Sequence, residues 1–467
     1  MDDVTDLGKT VPPAEDSGAP GAAERPSKVR IRSSGWMFAA QIGQTILTIP
    51  IGVVLARTLG PSGKGAVSVA QTIAAFSVIL LGFGLPSAVT WLSAKGRASA
   101  RGALVMAGAT ALVAVAVVAA IVLALGPSAT AHRLGLTVPA VLGLAVLAIV
   151  PSMVAAFCAS YLLGRGRIRL VSMTNVIGLG AELVVLAVLA LTGTLTVLSA
   201  VAVWILMVSG QSIAWGGAAL RAGAGTPARA ANLVREGRAY ALKSWLGNTV
   251  NLLSLRQDVL LLAVLANTHE VGIYTVGVAA AELAWYIPTA LQSVATVKFA
   301  SEDDTVELAQ RLNRSVWPYT VLFSGLIVMV AAPLIPLVYG APFHASILPL
   351  VLLLPGILAT SMSSALSAWL SGSGHPGDPA GANVVNMVVN LVANVLLAPR
   401  LGASGAAIAS SISYSVASVL IMWRFKVRSK ARLADALLPR WTDLRALAGI
   451  MANVVLDRLR RRGRPDA

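Results

Sequence analysis

A chain of 467 residues with 56% apolar and only 12% charged side chains is too poor in charge for a water-soluble domain, where about a quarter of residues are charged. The net charge of +16 would suggest nucleic acid if the cations gathered on a soluble face. Instead they gather between long apolar segments, so composition excludes a soluble enzyme or nucleic-acid binder and predicts an all-α polytopic membrane protein.

Residues 1–33 are rich in Pro, Gly, Ala and charge and read as a disordered tail. Apolar runs then predict helices over 34–56, 65–92, 103–126, 138–163, 171–191, 197–219, 244–265, 271–297, 316–338, 345–370, 381–398 and 403–423. Each approaches the roughly 20 residues that cross about 30 Å of hydrocarbon. These transmembrane helices form two six-helix bundles, 34–220 and 244–424, joined by a linker at 221–243. Of the 36 Lys and Arg, 31 lie in the tails and in every second connection, whereas Arg57, Lys64, Arg133 and Arg400 lie on the opposite side. The positive-inside rule places both termini in the cytoplasm and the chain in the cytoplasmic (inner) membrane.

Residues 425–467 form a basic tail in which Leu433, Leu437, Trp441, Leu444, Met451, Val455 and Leu459 recur at near-helical spacing. That pattern predicts a segment lying on anionic membrane lipids; the alternative is a solvated basic tail.

The two halves repeat. A shift of 207 places Leu55 on Leu262, Ala56 on Ala263, Gly65 on Gly272 and Val69 on Val276, a parallel repeat of the kind that puts a transport path between halves. The same register carries polar stripes. Gln41, Gln44 and Thr48 share one helical face, and Gln41 and Gln44 fall on Asn248 and Asn251, whose face continues to Asp258. A shift of 208 puts Asn175 on Asn383 and Glu182 on Asn390, within the stripe Asn383, Asn386, Asn390 and Asn394. Matched stripes predict a water-accessible central cavity shared by the halves. The competing explanation is hydrogen bonding between neighbouring helices, about 0.6–2 kcal/mol per contact.

Four charged residues fall within the spans: Glu182, Arg256, Asp258 and Glu282. Each costs about 2.5–3.5 kcal/mol to insert unless paired or wet. Folding the chain about residue 268 sets Arg256 opposite residue 280 and predicts an Arg256–Glu282 pair. Asp258 lies about 200° around the helix from Arg256 and is free to bind a cation or proton. Glu182 has no partner in sequence and is either a coupling residue or a neutral, hydrogen-bonded carboxyl. Pro50, Pro86, Pro288, Pro333, Pro336 and Pro355 interrupt helical hydrogen bonding within or near spans.

No catalytic constellation stands out. His132, His269, His344 and His375 are scattered over separate connections, Cys158 is the sole cysteine, and Glu302-Asp303-Asp304 reads as a solvated run. Gly63-Lys64-Gly65 lacks the pattern of a phosphate loop. The expectation is no enzyme, no cofactor and no bound metal.

Leu55-Ala-Arg-Thr-Leu-Gly-Pro-Ser-Gly-Lys-Gly, Arg256-Gln-Asp-Val-Leu-Leu-Leu followed by Val271-Gly-Ile-Tyr, and Asn390-Leu-Val-Ala-Asn-Val-Leu-Leu-Ala-Pro-Arg-Leu-Gly-Ala-Ser-Gly-Ala-Ala together resemble the polysaccharide-flippase branch of the multidrug/oligosaccharidyl-lipid/polysaccharide (MOP) exporter superfamily. The similarity covers about residues 33–425. It implies a V-shaped pair of pseudo-symmetric bundles alternating access to a central cavity. The implied cargo is a polyprenyl-diphosphate-linked oligosaccharide moved from the cytoplasmic to the outer leaflet.

On that reading Gln41, Gln44, Asn248, Asn251, Asn383 and Asn390 meet sugar hydroxyls, and Arg256 and Arg57 meet phosphate, with an interfacial anchor as the alternative for Arg57. Glu182, Asp258 and Glu282 are candidates for coupling to an H+ or Na+ gradient. Polysaccharide polymerase or other envelope-synthesis proteins are the expected partners. Some family members carry several cavity arginines; here only Arg256 lies near the midplane. The alternatives are a cation-coupled multidrug or small-solute exporter, a membrane scaffold for envelope synthesis, and a membrane-embedded glycosyltransferase.

Overall fold

The computed structural model describes residues 28–136, 138–222, 230–302 and 304–440, with side chains from Gly43 onward save 230–233, 287, 290, 291, 293, 294 and 297. Every one of the predicted spans is helical, and no strand occurs among the described residues. The first half comprises α1 (Lys28–Leu80), α2 (Leu85–Ala94), α3 (Ala100–Leu125), α4 (Pro127–Arg133), α5 (Pro139–Leu147), α6 (Ile149–Gly164), α7 (Ile168–Leu191) and α8 (Val197–Arg221). The second comprises α9 (Ala230–Leu265), α10 (Thr268–Ala281), a 3-10 turn (Glu282–Trp285), α11 (Tyr286–Ser301), α12 (Val306–Tyr339), α13 (Ile347–Ser361), α14 (Ser364–Gly372), α15 (Gly377–Ser429) and the short α16 (Ala434–Leu437).

Two predicted spans merge within α1 and two within α15, each helix being broken at a single glycine with positive φ: Gly60 (φ 67°) and Gly402 (φ 54°). Only glycine enters that region without a Cβ penalty, so one residue suffices to end one span and begin the next. Eight helices are long and apolar enough to cross a membrane among the described residues. α9 and the α10–α11 run, the seventh and eighth spans of the sequence, are not among them. They carry Arg256, Asp258 and Glu282.

Two sequence boundaries shift. α9 begins at Ala230, so most of the expected linker is helix running unbroken into the seventh span. The expected surface tail begins differently too. After α15 the chain folds back on α12, where Gln310 and Asn313 donate to the carbonyls of Arg432 and Ala436 (3.0 and 3.1 Å), and Arg314 and Trp317 to those of Asp435 and Leu437 (both 2.9 Å). These four donors stand at helical spacing on one face. Leu433 therefore packs on protein rather than lipid; Trp441, Leu444, Met451, Val455 and Leu459 lie outside the described residues.

The largest apolar core straddles the two halves. Leu55, Ala56 and Val69 are buried in it together with their repeat partners Leu262, Ala263 and Val276. Two smaller cores lie within the first and second halves respectively. The repeat therefore marks the seam: its matched residues face one another.

Candidate functional site

The seam is closed at the end bearing Gly60, called here the far end, by a reciprocal contact. A Cβ on Gly65 would collide with the backbone carbonyl of Thr268, and one on Gly272 with that of Pro61. The 207-residue shift relates Gly65 to Gly272 and Pro61 to Thr268, so one pseudo-symmetric crossing is met twice. Only glycine permits backbones this close. Three sets of bonds reinforce it. The Thr268 hydroxyl donates to the Gly135 carbonyl (3.1 Å), Lys64 Nζ to Thr275 Oγ1 (2.8 Å), and the Arg57 guanidinium to the carbonyls of Val338 (2.7 Å) and Leu337.

At the opposite, basic end one edge is closed by α2 against α9. Trp245 Nε1 donates to the Leu80 carbonyl (2.9 Å), Asn248 Nδ2 to Ser87 Oγ (3.2 Å), Arg97 pairs with Glu236 (3.2 Å), and Trp91 stacks on Tyr240. On the other edge the hydroxyls of Thr45 and Tyr286 bond at 2.6 Å. Between these contacts lies a cavity of about 760 Å³ walled by both halves.

Spans two and eight present the same face to it. Ser68, Gln71, Thr72 and Ala75 line the cavity, and so do Thr275, Val278, Ala279 and Glu282, which are their partners under the 207 shift. Spans one and seven also correspond: Thr45, Ile49 and Gly52 match Leu252, Arg256 and Val259. The chemistry differs between halves. Each half presents one cation and one carboxylate, Lys64 and Glu182 in the first and Arg256 and Glu282 in the second, but only the first adds amides, at Gln44, Gln71 and Asn175.

The structure brings Arg256 and Glu282 together at 3.3 Å, with both side chains part-exposed to the cavity. Gln44 and Glu182 also line it. Glu182 has no hydrogen-bond or ion-pair partner among the described residues. The Gln41 side chain lies outside the described residues.

The other expected residues stand elsewhere. Asn248 is spent on Ser87, Asn251 is exposed but not part of the cavity wall, and the face of α9 turned inward is that of Leu252, Arg256 and Val259. The polar stripe read for the seventh span is displaced by one residue, about 100° of helix rotation. Asp258 is buried away from the cavity wall, accepting from the Val259 amide (2.9 Å) and from the Tyr274 hydroxyl. Arg57 binds the last carbonyls of α12, groups with no partner within their own helix, and does not line the cavity.

The asparagine stripe of the eleventh span is also turned away. Asn383 is exposed outside the cavity, with its carbonyl accepting from Ser254 (3.2 Å). Asn390 is almost wholly buried, accepting from Gln257 Nε2 (2.9 Å) and Asn394 Nδ2 (3.1 Å) and donating to Ser410 Oγ (3.1 Å). Asn390 is thus held by hydrogen bonds between spans rather than by a cavity, and Asn394 bonds back to it within its own helix.

Lys64 was the principal residue missed. As a lone cation in a short turn it counts as a loop charge, yet it is 9% exposed and points into the cavity. The signal was present: Lys64, Ser68, Gln71 and Thr72 recur at i, i+4, i+7 and i+8, one face of a helix.

Two helical bundles meeting at a pseudo-symmetric seam around a polar cavity are the arrangement of the MOP-exporter fold. Solved structures share that fold. An inward closed conformation of the lipid II flippase MurJ superposes with a TM-score of 0.67 at 12% identity, covering 94% of each chain. An inward-facing multidrug resistance MATE family transporter of the MOP superfamily gives 0.61 at 16%, covering 83% of this chain and 94% of the other.

In sequence, a probable low-salt glycan biosynthesis flippase, Agl15 of Haloferax volcanii, is 27% identical over 178 residues. That match covers 35% of this chain and spans only 36% of the relative's length. The model of the polysaccharide biosynthesis protein family matches residues 31–299, more than half of the chain, and the protein belongs to that family.

Proposed function

We propose that the protein moves a polyprenyl-diphosphate-linked oligosaccharide across the cytoplasmic membrane by alternating access of the cavity between its halves. The observation that carries this reading is the presence of amides and cations on one cavity wall, with Lys64 in the first half and Arg256 in the second. Gln44, Thr48, Gln71 and Asn175 in one half offer hydrogen bonds to sugar hydroxyls, while the second half supplies a guanidinium at Arg256, whose fork matches phosphate geometry. The lipid chain needs no pocket, because hydrocarbon remains in hydrocarbon. Family membership and the Haloferax relative support a glycan precursor as cargo.

The Arg256–Glu282 pair supports a switching role: binding of phosphate competes with the carboxylate for the guanidinium. Asp258 is our candidate for coupling to an H+ or Na+ gradient, since it is a buried carboxylate whose Tyr274 partner leads on through Ser410 to the Asn390 network. Both termini lie in the cytoplasm on this reading, by the distribution of Lys and Arg.

A second reading, export of a small organic cation, is favoured by Glu182, the lining carboxylate without an ion-pair partner, and by a volume within the roughly 300–1,000 Å³ of drug-sized sites. Leaflet-resolved translocation of a labelled lipid-linked saccharide by purified protein in vesicles, with and without ion gradients, separates the two. Translocation of the saccharide is the expected result, and unchanged leaflet distribution alongside uptake of a cationic dye would overturn the first reading. Within that assay Arg256→Glu should abolish movement and adding Glu282→Arg should restore part of it; equal inactivity of both proteins removes the pair from the mechanism.

A further inference from the structure

Of the four charged side chains that line the cavity, Arg256 and Glu282 neutralise each other. Lys64 has no carboxylate within 4.0 Å among the described residues. Its ammonium carries three donors, and one partner is found for them, the hydroxyl of Thr275. That hydroxyl in turn donates to the Gly272 carbonyl (3.1 Å), so Thr275 holds Lys64 only through an oxygen lone pair. A buried cation facing a single neutral acceptor is under-satisfied.

The place of this bond matters as much as its weakness. Lys64 precedes Gly65 and Thr275 follows Gly272 by one turn, so the bond spans the two halves directly beside the glycine crossing, on its cavity side. The other polar ties across the far seam, Thr268 to Gly135 and Arg57 to α12, do not involve residues of the cavity wall. Among these ties the Lys64–Thr275 bond alone joins residues of the wall that a cargo touches across the seam that must part.

We propose that Lys64 takes the phosphate-bearing end of the cargo at the far end of the cavity and, in taking it, releases Thr275 and unlatches the seam. This rests on the lipid-linked reading of the cargo. A phosphate adds to the hydrogen bond an attraction between opposite full charges that the neutral Thr275 hydroxyl cannot supply, so the anion wins the exchange. A ligand shifts a conformational equilibrium only by its difference in affinity for the two states, and this exchange supplies such a difference: Thr275 competes for Lys64 in the sealed state and not in the parted one. An uncharged solute of the same size would fill the cavity without loosening the latch.

The test uses the full chain in vesicles, with Cys158→Ala to remove the sole cysteine and spin labels at Leu191→Cys and Leu401→Cys, which are exposed near the far-end turns of the two halves. Polyprenyl diphosphate, polyprenol and inorganic diphosphate are the probes. Polyprenyl diphosphate should bind and lengthen the interspin distance, and polyprenol should not. Lys64→Met should bind polyprenyl diphosphate about tenfold or more weakly and show a distance indifferent to every probe, while Lys64→Arg keeps binding. Thr275→Val should keep binding and show the long distance with no probe present.

A shift driven equally by inorganic diphosphate assigns the site to phosphate itself rather than to its lipid-linked form. If wild type responds and Lys64→Met binds and responds alike, the role of Lys64 falls with the cargo reading intact. A wild-type distance unmoved by bound polyprenyl diphosphate overturns the latch. Failure of wild type to bind either diphosphate sinks the cargo reading, and this proposal with it.

Discussion

The fifth and eleventh spans, α7 and the first part of α15, correspond under a shift of 208, and they end in opposite environments. In α7, Asn175 and Glu182 face the cavity; in α15, their counterparts Asn383 and Asn390 do not. The difference lies in the helix against which each packs. In the second half, the seventh span sends Gln257 to the Met387 carbonyl and Asn390, and Ser254 to the Asn383 carbonyl. At the equivalent positions the first span has Pro50 and Leu47, which have no polar side-chain atom to offer. Polar side chains in a bilayer seek either a partner or water. At the Glu182/Asn390 position the second half provides the partner and the first leaves water, although Asn175 also accepts from Gln211 Nε2 (3.2 Å), so one scaffold yields a stitched bundle beside a wetter one.

The largest effect should come from the stitched side. Asn390→Leu leaves Gln257, Asn394 and Ser410 short of a partner and should destabilise the protein by about 2–3 kcal/mol, read as a lowered unfolding midpoint in detergent. Glu182→Gln on the wet side should stay within about 0.5 kcal/mol of wild type while slowing translocation. Equal losses for the two would erase the contrast.

Gly65→Ala and Gly272→Ala probe where the halves do agree. Each inserts a methyl into opposing backbone and should cost about 1–3 kcal/mol, the same for both within error; a defect at one site only would break the reciprocity of the seam. Gln257→Leu should cost about 1 kcal/mol, because Asn394 still reaches Asn390 Oδ1. Gln44→Leu should be the mildest for stability, within about 0.5 kcal/mol, yet reduce saccharide translocation, since its amide faces the cavity and not a neighbouring helix.

Much of the architecture was legible before any coordinates. Apolar runs of bilayer length located the spans, and the 207-residue register that joined Gly65 to Gly272 marked the seam where the halves cross. The Arg256–Glu282 pair followed from antiparallel folding alone. The stripes of the first half face the cavity at Gln44, Thr48, Asn175 and Glu182, but those of the second half do not: helical spacing shows that Asn248, Asn251 and Asp258 share a face, not which neighbour that face meets. The same spacing holds for Lys64, Ser68, Gln71 and Thr72, which escaped notice because the turn before them made Lys64 look like a loop charge.

The sequence by itself determined what the bilayer enforces locally, namely where helices start, where glycine turns them, and that the chain folds as two related halves. Those outcomes depend on hydrophobic length and backbone chemistry within a few turns. Only the tertiary structure decided which polar groups see water, because that depends on rotation of each helix by a fraction of a turn and on the side chain opposite. Asn390 and Glu182 occupy one position of the repeat, and Gln257 against Pro50 separates a packing contact from a cavity wall.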